Sequence, residues 1–281
     1  MLEPLLAGVA TKLRIRGELT AERLGHGLSN ETWLLRGAGD AVVVRRWQPL
    51  EAARRLPPEF EISLWRAAAA RNLAPEIRWA DVAEGVVAAE FLGDARTWGD
   101  QDFADPGNWP RLSRLLSRFS ELSHPLPRYS PLAAATAYTN PPQGEAMTPW
   151  EQSHREELLK LAVDHERDNA ATVVCHNDLL PANVLELAGG GLRLIDFEYA
   201  SRGHQVVDWA TIAVFGDIEG AQRAEFLNVM SRDNVLRANV FPDAIRLVRL
   251  LAYFWARTVL RSRAEDPRLV DLCDRMRAAL D

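Results

Sequence analysis

Residues Val173–Ala200 read VVCHNDLLPANVLELAGGGLRLIDFEYA. Two short apolar runs in this stretch each deliver polar residues. Val173-Val174-Cys175 leads into His176-Asn177-Asp178, and Leu192 to Ile195, after the glycine turn Gly189–Gly191, ends at Asp196. Short apolar runs bounded by turn residues fit buried strands. A polar side chain at the end of a buried strand has a fixed backbone, which suits a reactive site.

Asn183 follows Asp178 by five residues. Phosphoryl transfer from magnesium-bound ATP needs a carboxylate to position a hydroxyl and take its proton, together with hard oxygen ligands for the metal. Asp178 suits the first role; Asn183 and Asp196 suit the second. Singly, each has a plainer explanation, since an aspartate after a strand commonly serves a turn and an asparagine caps a helix. The joint pattern HxDxxxxN, then an apolar strand and an aspartate, is far more specific.

Outward from this island, the first ninety residues mix strand and helix patterns. Arg23 to Leu35 has the turn GHGLSN in its middle, GAGD (Gly37 to Asp40) is a tight turn, and Ala41 to Trp47 is a β-branched run that predicts a buried strand. Phe60 to Asn72, between Pro57-Pro58 and Pro75, suits a helix. Ile77 to Val82 and Val86 to Phe91, joined through Glu84-Gly85, suit a hairpin. Gly93 to Pro110 turns polar and reads as a linker. Beyond it Leu112, Leu115, Leu116, Phe119 and Leu122 fall at helical spacing, and Glu151 to Asp168 and Pro242 to Arg263 also read as helices. His124 to Pro149 carries six prolines and reads as irregular.

With these residues in view, the sequence resembles the aminoglycoside phosphotransferase and choline kinase superfamily, relatives of the protein kinases. CHNDLLPANVL and LIDFEYA are similar to the catalytic and metal-binding motifs of bacterial choline and thiamine kinases. The resemblance implies an α+β, protein-kinase-like bilobal fold. Its small antiparallel-sheet lobe (residues 1–93) would bind nucleotide, and its mainly helical lobe (94–281) would carry catalysis and the acceptor. It further implies ATP and Mg²⁺ as partners in the reaction, Asp178 as the catalytic aspartate, and Asn183 and Asp196 as magnesium ligands. Asp208 would brace the catalytic loop and His176 would be a structural member of it. Gly25 to Asn30 resembles a phosphate loop, so Gly27, Ser29 and Asn30 are expected at the nucleotide. Arg45 takes the place of the kinase strand lysine, Glu61 that of its helix partner, and Glu90 to Leu92 that of the adenine-binding hinge. A dinucleotide-binding glycine loop would demand a following helix, whereas Thr32 to Leu35 reads as strand.

Composition narrows the function class. The 281 residues are 47% hydrophobic and 26% charged, enough apolar mass for a full core. A net charge of −6 argues against a protein that wraps nucleic acid. No apolar run is long enough for a bilayer, and the opening MLEPLLAGVATKLR lacks a basic segment before its apolar residues, so a cytoplasmic location is expected. Of 33 basic residues only Lys12 and Lys160 are lysines, and neither sits in a P-loop pattern. Any cation that meets nucleotide is therefore expected to be arginine.

The acceptor is expected to be a small cationic alcohol, choline- or ethanolamine-like first, then thiamine, then an aminoglycoside. A quaternary ammonium is held by ring faces, which makes Trp209, Tyr253 and Trp255 cage candidates, with Glu198 or Asp208 to supply an acid. Tyr253 and Trp255 lie two apart and do not share a helix face; aromatic residues on such a helix are most often core. Ala244 to Arg263 holds five arginines and no carboxylate, which disfavours a polycation. A nucleotide-binding module without catalysis is the alternative class, and the proton-accepting Asp178 argues against it.

Overall fold

A computed structural model describes residues 2–24, 30–47, 56–141, 145–168, 172–230, 238–263 and 266–281. Five antiparallel strands form a sheet in the order β1-β2-β3-β5-β4, comprising β1 (Thr20–Arg23), β2 (Asn30–Gly37), β3 (Asp40–Trp47), β4 (Ile77–Asp81) and β5 (Val86–Glu90). Side chains alternate across a strand, and that alternation divides the sheet's residues between its two faces. Trp33, Leu35, Val42, Val44, Val86 and Ala88 pack with Leu6, Val9 and Ala10 of α1 (Leu2–Leu13). Their neighbours Thr32, Val43, Arg45 and Ala89 point the other way, into a cleft. Helix α2 (Pro58–Ala70) buries Leu64, Trp65 and Ala68 in the larger core. The sequence pattern left α1 unread, because its apolar residues cover only a sheet face that had itself to be inferred.

The remainder is mainly helical: α3 (Asp100–Ala104), α4 (Trp109–Ser120), α5 (Pro131–Tyr138), α6 (Pro149–Arg167), α7 (Val206–Phe215), α8 (Gly220–Met230), α9 (Phe241–Leu260) and α10 (Pro267–Ala278). The strands β6 (Arg96–Thr97), β8 (Val184–Glu186) and β9 (Leu192–Leu194) pair antiparallel, as do β7 (Val173–Cys175) and β10 (Ser201–Gly203).

Gly93 to Pro110 is not a linker. It contains β6 and α3, and it buries Trp98, Phe103 and Trp109 at 3% exposure or less. Polar residues between these three hide the apolar anchors in a composition count. Likewise Pro131 opens α5 at its first turn, where a missing N–H costs nothing, and the Ser130 hydroxyl accepts from the Ala133 amide to cap it. No helix among the described residues is long and apolar enough to cross a membrane.

Candidate active site

The site is assembled where β7 ends, at the short turn after β8–β9, and under the sheet. Strand β7 is fully covered at Val174 and Cys175, and the chain leaves it through His176-Asn177-Asp178. Asp208, near the start of α7, accepts hydrogen bonds from the backbone amides of His176 (2.9 Å) and Asn177 (2.7 Å). Asn177 has a positive φ of 58°, and its side chain donates to the Tyr199 carbonyl (3.2 Å) and the Ser201 hydroxyl (2.6 Å). These bonds hold a backbone conformation that non-glycine residues rarely adopt. The His176 ring is buried between Phe119 and Phe197, and its Nε2–H donates to the Ile195 carbonyl at 3.0 Å. Burial holds that imidazole down at about 4, so it is neutral at neutral pH.

Asn183 lies in a 3₁₀ turn after Asp178, and its amide nitrogen donates to the Asp178 backbone carbonyl (2.8 Å) and carboxylate (3.2 Å). Two acceptors on one side require the nitrogen there, so the amide oxygen of Asn183 is turned away from Asp178 and is free to ligate. Asp196, two residues past the end of β9, also has a positive φ of 66°. The next residue, Phe197, stacks on Phe119 at 5.6 Å between centroids and packs against Trp65, which pins the turn that presents Asp196. Burial, then the carboxylates of Asp196 and Glu198, push Asp178 up to about 8. Burial also raises Asp208, to about 6, against the lowering effect of its two amide bonds.

Above these groups stands Arg45 on β3. It is 6% exposed and hydrogen-bonds Glu61 of α2 and, at 2.6 Å, the Asp196 carboxylate. Glu61, 1% exposed, also accepts from the Trp47 indole at 2.9 Å. It is thus a buried ion-pair partner rather than a surface charge. Asn30 donates to Glu198 at 2.8 Å, and the Leu56 amide donates to the Glu198 carbonyl at 2.6 Å, so two points of the N-terminal region meet the segment after Asp196.

A single cleft of about 1610 Å³ gathers Asn30, Arg45, Glu90, Leu92, Asp178, Asn183, Asp196, Glu198 and Trp255. Glu61, His176 and Asp208 stand behind it as supports. Gly27 and Ser29 lie outside the described residues. The cage expectation needs correction at two positions. Trp209 is 1% exposed within α7, and Tyr253 is 5% exposed with its hydroxyl donating to Glu151 at 3.2 Å; neither lines the cleft. Both rings face the helical core, because α7 is packed on all sides and the face of α9 that carries Tyr253 turns towards α6. Tyr129, Tyr138, Tyr199 and Phe215 line the cleft instead. Tyr129 and Tyr138 come from the segment read as irregular, whereas Tyr199, inside LIDFEYA, and Phe215, at the end of α7, carry no local signal that their rings face a cleft. The arginine excess of α9 is offset by α6 and the segment after α7: Arg246 bonds Glu157, Arg249 bonds Glu219, and Arg257 bonds Glu151.

A strand-borne arginine paired to a helix glutamate, over an HxDxxxxN loop and a strand-ending aspartate, defines a protein-kinase-like small-molecule phosphotransferase. The chain belongs to the phosphotransferase enzyme family (APH), whose family model matches residues 20–238. Among solved structures, choline kinase LicA from Streptococcus pneumoniae superposes with a TM-score of 0.84 at 18% identity, covering 99% of this chain and 98% of that one. A choline/ethanolamine kinase family protein from Mesorhizobium loti gives a TM-score of 0.77 at 20% identity, covering 99% and 92%. Spectinomycin phosphotransferase APH(9)-Ia, in complex with ADP and spectinomycin, gives 0.67 at 13% identity, covering 99% and 94%. No curated protein sequence matches the chain.

Proposed function

We propose that the protein transfers the γ-phosphoryl group of ATP to the hydroxyl of a small alcohol, with Asp178 as the proton acceptor. The observation that carries this reading is the placement of Asp178 in one cleft with Asn183, Asp196 and Arg45. The acceptor oxygen forms a bond to the γ-phosphorus, the bond from that phosphorus to the β–γ bridging oxygen breaks, ADP leaves, and the hydroxyl proton passes to the Asp178 carboxylate. Residues 1–93 hold the nucleotide in this reading, and 94–281 hold the acceptor. Adenine meets backbone groups at Glu90 to Leu92, and the Arg45 guanidinium, fixed by Glu61, faces the phosphates. The buried Nε of Arg45 has no partner among the described residues, leaving a donor for an anionic ligand.

The donor set also fits magnesium. Asn183 offers an amide oxygen and Asp196 a carboxylate, both hard oxygen donors of the kind this ion takes alongside phosphate and water. Bound there, the ion would offset the negative charge of the phosphates. A cation held by Asn183 and Asp196, beside Asp178, would make ionisation of that carboxyl less costly and ready it as a base.

Choline or ethanolamine is the first acceptor to test, supported by the choline-kinase form of the island and by Trp255 and three tyrosines on the cleft wall. Thiamine and kanamycin complete the set. In an ADP-release screen over these four, turnover is expected with at least one alcohol. Asp178→Asn is expected to reduce that turnover about 10²- to 10⁴-fold, with ATP affinity by calorimetry within about threefold of wild type. An Asn variant that keeps wild-type turnover rejects Asp178 as the base.

A further inference from the structure

The cleft does not end at Asp178. It continues between α5, α7, α9 and α10, where its wall is Tyr138, Phe215, Val248, Leu251, Trp255 and Leu272. On α9, Val248, Leu251, Ala252 and Trp255 recur at the i, i+3, i+4, i+7 spacing of one helix face, and all four line the cleft. A different face of the same helix, carrying Leu247, Leu250 and Phe254, fills the core at 2% exposure or less. Helix α9 is therefore apolar on two faces: one is spent in the core, and the other, with Val248 buried and Leu251, Ala252 and Trp255 half-buried, forms the cleft wall. Its charged residues Arg246, Arg249 and Arg257 bond carboxylates of α6 or the segment after α7.

The acids that line the cleft stand at its other end. Among the described residues they are Glu90, Asp178, Asp196 and Glu198, and Glu198 is 2% exposed and bonded by Asn30. Among the described residues no carboxylate lines the recess formed by α5, α9 and α10, and the charged one there is Arg268, bonded to Asp266. Among those residues a cationic group would find rings and no counter-charge. The volume points the same way. A pocket for one drug-sized ligand is about 300–1,000 Å³, so a cleft of about 1610 Å³ has room for a nucleotide and for an acceptor well beyond the size of choline.

We propose that the acceptor is an alcohol with an extended apolar body, its hydroxyl end at Asp178 and its body in the α5–α7–α9–α10 recess. The inference rests on the phosphotransfer reading for the position of the hydroxyl, and on the lining of the recess for the body. Continuity of the recess with Asp178 is what assigns it to the acceptor and not to a separate ligand.

The test is a series of choline and its N-butyl and N-hexyl analogues. Affinity is measured by calorimetry with a non-hydrolysable ATP analogue and magnesium, and kcat/KM by ADP release. Each added methylene that enters the recess is expected to tighten binding about two- to fourfold, giving at least a tenfold gain from choline to the hexyl analogue. Ala252→Phe fills the recess and Leu272→Gln makes its wall polar; each is expected to flatten the gain with chain length. Affinity independent of chain length in the wild-type protein overturns the proposal, as does a wild-type slope in both variants. Turnover of choline with a flat series rejects the recess and leaves phosphotransfer standing. A steep affinity series with no turnover of any member upholds the apolar ligand class and rejects the phosphotransfer reading instead.

Discussion

His176 and Asp178 lie two residues apart, and burial pushes their protonation in opposite senses. The imidazole is held neutral, at about 4 against an ordinary 6.5, while the carboxyl is held protonated, at about 8 against an ordinary 3.8. Stability follows different signs for the two. The His176 contribution is fully present above pH 6.5 and is lost as pH falls from 6.5 towards 4. The Asp178 and Asp208 contributions run the other way, present at low pH and lost as pH rises through about 8 and about 6. A single wild-type curve mixes all three, so the informative quantity is a difference. His176→Gln keeps a donor for the Ile195 carbonyl and removes the titration. The gap between wild-type and variant unfolding free energies is expected to narrow by about 3 kcal/mol between pH 6.5 and 4. Urea melts at four pH values measure it; parallel curves would mean the imidazole is not held neutral in the fold.

At the scale of elements, α4 does more than fill the core. Phe119 stacks on Phe197 and touches His176, so one helix side chain braces both the Asp196 turn and the loop after β7. Phe226 of α8 packs edge-on against Trp109, remote from those loops. Truncating either ring to alanine is expected to cost about 3–5 kcal/mol, seen as a lower urea midpoint. The two should part on function: Phe119→Ala is expected to weaken binding of magnesium-bound ATP by tenfold or more, and Phe226→Ala by less than twofold. Equal losses of nucleotide affinity would mean that Phe119 acts only through global stability.

For the molecule as a whole, Arg45 is the junction. One guanidinium ties a sheet strand to α2 through Glu61 and to the Asp196 turn, while Asn30 and the Leu56 amide reach Glu198. In the proposed reading, nucleotide held across this junction would stabilise both regions at once. At a hundred times its dissociation constant, magnesium-bound ATP is expected to add about 2.7 kcal/mol to the folded state. Asp196→Ala, at the same ligand concentration, is expected to lose most of that gain in a thermal melt. A full stabilisation in the variant, still dependent on magnesium, would remove Asp196 from the metal site.

Sequence alone determined what local pattern can encode. Continuous apolar runs set β3 and β5, helical spacing set α4, and HNDLLPAN with LIDF marked Asp178, Asn183 and Asp196 as a set, because few chemistries need those three groups near strand ends. Arg45 and Glu61 were legible as a pair only through family likeness; their spacing has no local meaning until β3 and α2 are packed together. Tertiary structure alone decided which aromatic side chains meet the cleft. Trp209 and Tyr253 were drawn into the core and Tyr129, Tyr138, Tyr199 and Phe215 into the wall, since an apolar ring is equally suited to a core or a pocket and only the neighbouring helices choose between them. The same holds for the second apolar face of α9. In sequence it is simply more hydrophobicity, and it lines the cleft only because α5, α7 and α10 stop short of covering it completely.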